Sequence, residues 1–381
     1  MLHISKGDQK FDMKKYIIFS EVKFNFLRQR HQIFAELLSD DYSVHFIEGV
    51  PSRIPKDIVL RLVRRLFRRK KKHDTLFRVE NITLRKSFLV PSINIFFNLY
   101  NIIRVHSILW NASKGDIVHV FSSSPMVLQI AKRKGCIVIF DVIHNWMHFP
   151  FHKNAHRHNY MRQLFDADII LCDSQAVISN MCTRLHVDST KVEYVPPGVE
   201  DAWFPASTER PNINKQNISV IFFGNLRKNS DLDLCKEIIL LRDTEAQFCG
   251  LLDPSLGVNT IGYLQNYYKG NFLLEDLISQ VRRADAIMLP YDKTKLSETI
   301  FPAKYFECLA TGKPIVSNSN MPHLPGWDDV VWTVDDIKCL GWSKLLDVHY
   351  KSISDKQVAI ARDNSWNERV EKIKGRVNDF V

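Results

Sequence analysis

Absences narrow the possibilities for this 381-residue chain before any motif is weighed. Its seven cysteines (Cys136, Cys172, Cys182, Cys235, Cys249, Cys308 and Cys339) are scattered and include no Cys-x-x-Cys pair. That excludes a disulfide-framed secreted domain and a cysteine zinc site, and it fits buried thiols in a reducing compartment. No stretch reaches the roughly 18–20 consecutive apolar residues of a membrane-spanning helix. The nearest, Phe88 to Ile103, is interrupted by Pro91, Asn94, Asn98 and Asn101. No export signal is expected either, because the apolar run Tyr16–Phe19 is too short. There is no internal repeat and no low-complexity segment. The expected location is the cytoplasm.

The bulk composition is that of a globular protein, with 45% hydrophobic and 25% charged residues, which excludes a disordered, collagenous or simple coiled-coil chain. The charge, by contrast, is concentrated. Of the net +10, Arg53 to Lys72 alone contributes ten basic residues against one acid, Asp57. Within it Val59, Leu62, Val63, Leu66 and Phe67 form a helical apolar stripe, and Arg61, Arg64, Arg65, Arg68 and Arg69 occupy the other faces. This is the composition of a helix over 55–72 that lies on an anionic membrane surface. The alternative is a helix packed on its domain with solvated arginines. Phe88–Ile103 offers a second apolar, aromatic surface suited to a lipid carrier.

Short β-branched runs alternate with helical patterns along the whole chain. Expected strands are Tyr16–Ser20, Ser43–Ile47, Ile117–Phe121, Ile137–Asp141, Asp168–Cys172 and Val192–Val195, then Ile218–Phe223, Ala246–Gly250, Ala286–Leu289 and Pro314–Ser317. Runs apolar on both faces, such as Val-Ile-Phe-Phe, indicate parallel sheets covered by helices on each side. The fold class is therefore α/β, with two doubly wound, Rossmann-like domains. The expected organisation is a leader over 1–12, an N-terminal domain over 13–200, a linker over 201–217, a second domain over 218–364 and a C-terminal helix over 365–381. In such sheets ligands sit beyond the carboxyl ends of the strands, which in a two-domain version means the cleft.

The most informative stretch runs from Phe301 to Ser317. It predicts a helix from Pro302, closed by Gly312 and followed at once by a strand. Lys304 and Glu307 then share one helix face, a cation for phosphate and a carboxylate for a ribose diol. A solvated ion pair on a well-capped helix is the plain alternative. Gly224, with Arg227 and Lys228, forms a second candidate anion loop. Asp231-Leu232-Asp233 has the look of a metal-binding D-x-D, but its place at a helix start makes a cap and a first-turn acid the better account. No metal and no bound cofactor is expected.

The pattern P-x-K-x-x-E-x-L-A-x-G-K-P-I-V of Pro302–Val316 resembles the donor-binding segment of GT-B glycosyltransferases, in the large retaining family that uses nucleotide sugars. Gln29–Gln32, Phe140–Asn145, Asp173-Ser174 with Tyr194–Glu200, and Phe223–Lys228 resemble further segments of the bacterial polysaccharide and teichuronic-acid-type members, in the same order. The resemblance implies a nucleotide-sugar donor on the C-terminal domain and a saccharide or lipid-linked saccharide acceptor on the N-terminal one. It implies donor contacts from Gly224, Arg227, Lys228, Lys304 and Glu307. It also implies a second glutamate eight positions before Glu307, where this chain has Thr299, with Glu298 one residue beyond. Asp141 and His144, at the end of a first-domain strand, are the remaining catalytic candidates: one would deprotonate the acceptor, or His144 would hold the donor sugar. The implied activity is sugar transfer in bacterial surface polysaccharide synthesis, by a protein peripheral on the inner face of the cytoplasmic membrane. The alternatives are a GT-B-like nucleotide-sugar epimerase or inactive relative, and a basic nucleic-acid binder. Nucleic acid is not an expected partner, because the basic segment lacks interleaved aromatics and that reading leaves Lys304 and Glu307 unexplained.

Overall fold

The computed structural model describes residues 13–25, 28–50, 77–79, 81–90, 95–121, 124–143, 165–205, 215–227, 230–291 and 301–380. The leader 1–12, the basic stretch 55–72 with its five arginines, and the candidates His144, Lys228 and Glu298 lie outside the described residues. Two compact units are present. Unit 1 comprises Met1–Asp173, Val177–Val195 and Val370–Val381; unit 2 comprises Ser174–Ala176 and Pro196–Arg369.

Unit 1 is built on an eight-stranded sheet in the order β3-β4-β2-β1-β5-β6-β7-β8. The strands are β1 (Lys15–Phe19), β2 (Ser43–Glu48), β3 (Phe77–Val79), β4 (Ile82–Lys86), β5 (Ile117–Val120), β6 (Ile137–Val142), β7 (Ile169–Cys172) and β8 (Val192–Tyr194). All neighbours are parallel except β3 and β4. Helices α1 (Arg30–Leu38), α2 (Ile95–Ile108), α3 (Pro125–Arg133) and α4 (Gln175–Leu185) accompany the sheet. Every residue of β5, β6 and β7 is buried, as strands covered on both faces must be. Phe19, Val118, Val120, Val138, Phe140 and Ile170 fill one core.

Unit 2 has a six-stranded, all-parallel sheet in the order β11-β10-β9-β12-β13-β14. Its strands are β9 (Ile218–Leu226), β10 (Thr244–Leu252), β11 (Tyr268–Gly270), β12 (Ala286–Met288), β13 (Ile315–Val316) and β14 (Val331–Trp332). Its helices are α5 (Leu232–Leu240), α6 (Val258–Leu264), α7 (Leu274–Arg283), α8 (Tyr305–Ala310), α9 (Trp327–Val330), α10 (Val334–Leu340), α11 (Trp342–Ser352) and α12 (Ser354–Arg362). Alternation along β9 divides the core in two, with Ile221 and Phe223 in one cluster and Val220 and Phe222 in the other.

All ten strands expected from the sequence are present, with ends that shift by a few residues. Two shifts matter for the site. Strand β9 runs on to Leu226 and pairs Gly224 with Gly250, so Gly224 lies within a strand instead of a loop. Helix α8 begins at Tyr305, not Pro302, because residues 302–305 form a turn closed by the Tyr305 amide on the Pro302 carbonyl.

The last helix, α13 (Trp366–Asn378), begins in unit 2 and ends in unit 1. In unit 1 Lys372 pairs with Glu193 at 3.1 Å, and Arg376 donates to the Thr190 carbonyl at 2.7 Å. Lys374 pairs with Asp41. In unit 2 Val199 and Ser365 form a parallel bridge, and a Cβ on Gly198 would stand 2.8 Å from the Trp366 amide nitrogen. Only glycine fits there.

Candidate functional site

The unit 2 candidates converge. Gly224 and Gly250 face each other across β9 and β10 with φ of 118° and 114°, a backbone region that side chains rarely enter. The space left by the missing Gly224 side chain is filled by Lys304: an added Cβ would overlap its Nζ and Cε. Lys304 reaches there from the cap position of α8, with its ammonium 4.8 Å from the centroid of the Phe222 ring. No ion pair within 4 Å satisfies it among the described residues. Burial lowers its pKa and Glu307 pulls back upward, while the positive charge of Arg227 pushes down again. Arg227 is itself held in place. With its amide oxygen turned toward the guanidinium, Asn225 accepts from Arg227 Nε at 3.0 Å and Nη2 at 3.1 Å.

Glu307 lies one turn beyond Lys304. Burial pushes its carboxyl up to about 8, opposed by Lys304 and reinforced by Glu200. The arrangement is thus two cations and a poised carboxyl around a strand segment stripped of side chains. Among the described residues no carboxylate lies within ion-pair distance of Lys304, and a phosphate group close to Lys304 and Arg227 would relieve their repulsion. The dipole contribution expected from α8 is small, because the helix has only six residues. Asp231 caps α5, accepting from the Leu234 amide at 2.9 Å, which gives it a structural occupation.

In unit 1 the structure corrects the role expected of Asp141. Its side chain is fully enclosed, so it does not reach an acceptor hydroxyl. Its Oδ2 accepts from Arg30 Nε at 2.8 Å and lies 3.3 Å from His119 Nε2. His119 Nδ1 in turn lies 3.0 Å from the Tyr16 hydroxyl. Burial opposes ionisation of Asp141, but the Arg30 charge and the His119 hydrogen bond outweigh it and hold the carboxyl below the usual range. With His119 neutral, one chain of donors links the four groups, Tyr16 O–H to Nδ1, Nε2–H to Asp141 Oδ2 and Arg30 Nε to Asp141 Oδ2, while Asp141 Oδ1 and Arg30 Nη2 are buried without a partner among the described residues. This is an anchor for α1, whose first residue is Arg30.

The solvent-reachable carboxyl here is Asp173, one residue past β7, which the sequence offers only as part of the Asp173-Ser174 resemblance and not as a site residue. Burial raises its pKa to about 7, with Arg30 lowering it and Asp141 raising it. The mark of this cluster in the sequence is His119, a polar residue in the otherwise apolar Ile-Val-His-Val strand.

Comparison with known proteins agrees with this architecture. Residues 36–203 match Glycosyltransferase Family 4. A curated relative is TuaH of Bacillus subtilis, whose name assigns it to teichuronic acid biosynthesis as a glycosyltransferase. It is 26% identical over 170 residues, which take in 42% of this chain and 43% of that protein. Among solved structures, a glycosyltransferase from Rickettsia africae superposes with a TM-score of 0.64 at 16% identity, over 96% of this chain and 98% of that one. Anabaena Alr3699/HepE, solved in complex with UDP, does so with a TM-score of 0.62 at 12% identity, over 97% and 100%. The chain therefore has the GT-B fold of glycosyltransferases, and its residues 36–203 carry the match to glycosyltransferase family 4.

Proposed function

We propose that this protein is a nucleotide-sugar-dependent glycosyltransferase of bacterial surface polysaccharide synthesis. The observation that carries the reading is Lys304, a largely buried ammonium with no anionic partner within ion-pair distance among the described residues, lying over Gly224 beside Arg227. A nucleoside diphosphate supplies what this place lacks. Its phosphates neutralise Lys304 and Arg227, and its ribose hydroxyls donate to Glu307, which ionises as Lys304 is held fully charged. During transfer the bond from the sugar to the diphosphate breaks as an acceptor hydroxyl oxygen bonds to the same sugar carbon, the hydroxyl proton passes to the leaving phosphate, and negative charge builds on that phosphate as its bond to the sugar is lost. Preorganised cations aimed at that oxygen lower the barrier. The name of TuaH supports glycosyl transfer, and the UDP complex of HepE supports a nucleotide sugar as donor.

The acceptor in this reading is a saccharide or a lipid-linked saccharide, and the charge of Arg53–Lys72 supports a place at an anionic membrane surface. No step requires a metal from the residues named here. The test is thermal stabilisation by UDP, GDP, dTDP and CMP side by side, followed by isotope transfer from the matching nucleotide sugars to a lipid-linked acceptor. One nucleotide should raise the melting temperature of the wild type and leave Lys304→Met unchanged. No stabilisation by any of the four at millimolar concentration would sink the donor assignment.

A further inference from the structure

Helix α2 is built inside out. Its buried stripe is only Asn101, Val105 and Ile108, and Asn101 spends its amide on the Val90 backbone, accepting from the Val90 amide at 2.9 Å and donating to its carbonyl at 2.6 Å. The opposite side, at i, i+1, i+4, i+7 and i+8, carries Ile95, Phe96, Leu99, Ile102 and Ile103, all exposed. Phe96 is 77% and Ile103 62% exposed, with no Asp, Glu, Lys or Arg on that side. A helix stabilised only by its own unit would place these residues inward. An exposed apolar patch of this size marks an interaction surface.

What surrounds the far end of the helix identifies the partner. Trp110, two residues beyond α2, is 78% exposed. The Trp110 carbonyl accepts from Lys134 Nζ at 3.4 Å, and the Asn111 carbonyl from Lys15 Nζ at 2.6 Å. Lys114 is exposed close by, its Cγ beside Gly135. The neighbouring acid, Asp116, is buried and taken up by the Lys15 and Ser113 amides. The patch thus grades from an uncharged aliphatic and aromatic face, through an exposed indole, to three lysines. That sequence of chemistry matches the acyl, interfacial and headgroup layers of an anionic bilayer.

We propose that the Ile95–Ile103 face of α2 inserts into the headgroup–acyl boundary of an anionic lipid bilayer, with Trp110 and its flanking lysines at the headgroups. Insertion by this face is a second contact, independent of the basic charge of Arg53–Lys72. It names the surface of unit 1 that meets the membrane in the transferase reading.

The experiment is vesicle flotation of the full chain without nucleotide or acceptor. Vesicles of phosphatidylglycerol and phosphatidylethanolamine are compared with phosphatidylcholine alone at 0.1 M salt, and brominated lipids serve as quenchers of Trp110. The expected result is binding to the anionic vesicles, quenching that is lost in Trp110→Phe, and a drop of more than tenfold in Phe96→Asp/Ile103→Asp. That variant should keep the wild-type melting temperature, because both positions are exposed. Binding by Phe96→Asp/Ile103→Asp equal to wild type overturns the proposal. So does protection of a cysteine placed by Phe96→Cys from a thiol reagent in the lipid-free protein, which means another segment or a second copy already covers the face. Failure to bind any vesicle overturns it as well, while nucleotide stabilisation would still stand as the measure of the transferase reading.

Discussion

Replacing Gly224 by alanine separates the fold from the anion site. The substitution adds one methyl group at φ of 118°, a conformation that costs a non-glycine residue about 1–3 kcal/mol. For a unit of this size each kcal/mol lowers the melting temperature by roughly 2–4 °C, so the loss is visible but not ruinous. The same methyl overlaps Nζ and Cε of Lys304 and expels the ammonium from its seat. A hydrogen bond to a charged group contributes about 1.5–3 kcal/mol, so affinity for the stabilising nucleoside diphosphate should fall roughly ten- to hundred-fold. Isothermal titration of wild type, Gly224→Ala, Lys304→Met and the double variant measures both effects. The double variant should bind no worse than Lys304→Met, since both changes remove one contact. Unchanged affinity in Gly224→Ala would show that the phosphate does not meet Lys304 where the structure seats it, and the reasoning would fail.

Three further outcomes are expected. His349 is fully buried, accepting from Trp332 Nε1 at 3.1 Å and facing the Gly312 carbonyl at 2.9 Å, and burial lowers its pKa to about 4 against the pull of that carbonyl. A buried neutral histidine contributes stability above its unfolded pKa of about 6.5 that is lost as pH falls through 4, here about 3 kcal/mol; denaturant melts from pH 7 to 4 should show a decline that His349→Gln flattens. Asp173 has the opposite sign for an acid: its raised pKa leaves the fold more stable when it is protonated, with the advantage lost as pH rises from about 4 through 7. Asp173→Asn should therefore raise the melting temperature at pH 8 and not at pH 4. Removing the cap in Asp231→Ala should cost about 1 kcal/mol without changing nucleotide affinity, and a matching loss of affinity would reopen the D-x-D reading.

Much of the fold could be read from local chemistry. Val220 to Phe223 and Ala286 to Met288 are apolar on both faces, and no element other than a buried parallel strand suits them. The site was less legible where a residue's setting depends on distant partners. Gly224 reads as a loop signal because nothing local reveals that Gly250 will pair with it and prolong the strand. Pro302 reads as the first residue of a helix, yet the start moves on to Tyr305, whose ring packs against Trp327 and whose hydroxyl donates to the Pro325 carbonyl. Asp141 reads as a strand-end acid open to a ligand. Since both faces of β6 are buried, only the position of Arg30, 111 residues earlier, decides that it turns inward. Strand β4 lies in a stretch with mixed polar and charged residues, Ile82–Lys86, where alternation is too short to stand out.

The return of α13 to unit 1 carries a consequence for how the chain matures. A ribosome delivers β8 nearly two hundred residues before Lys372, Lys374 and Arg376, so Glu193 and Asp41 wait for their counter-charges until unit 2 has been synthesised. Clipping the polypeptide after Arg369 would leave the second sheet whole and damage the first, injuring the half of the molecule farthest from the cut in sequence.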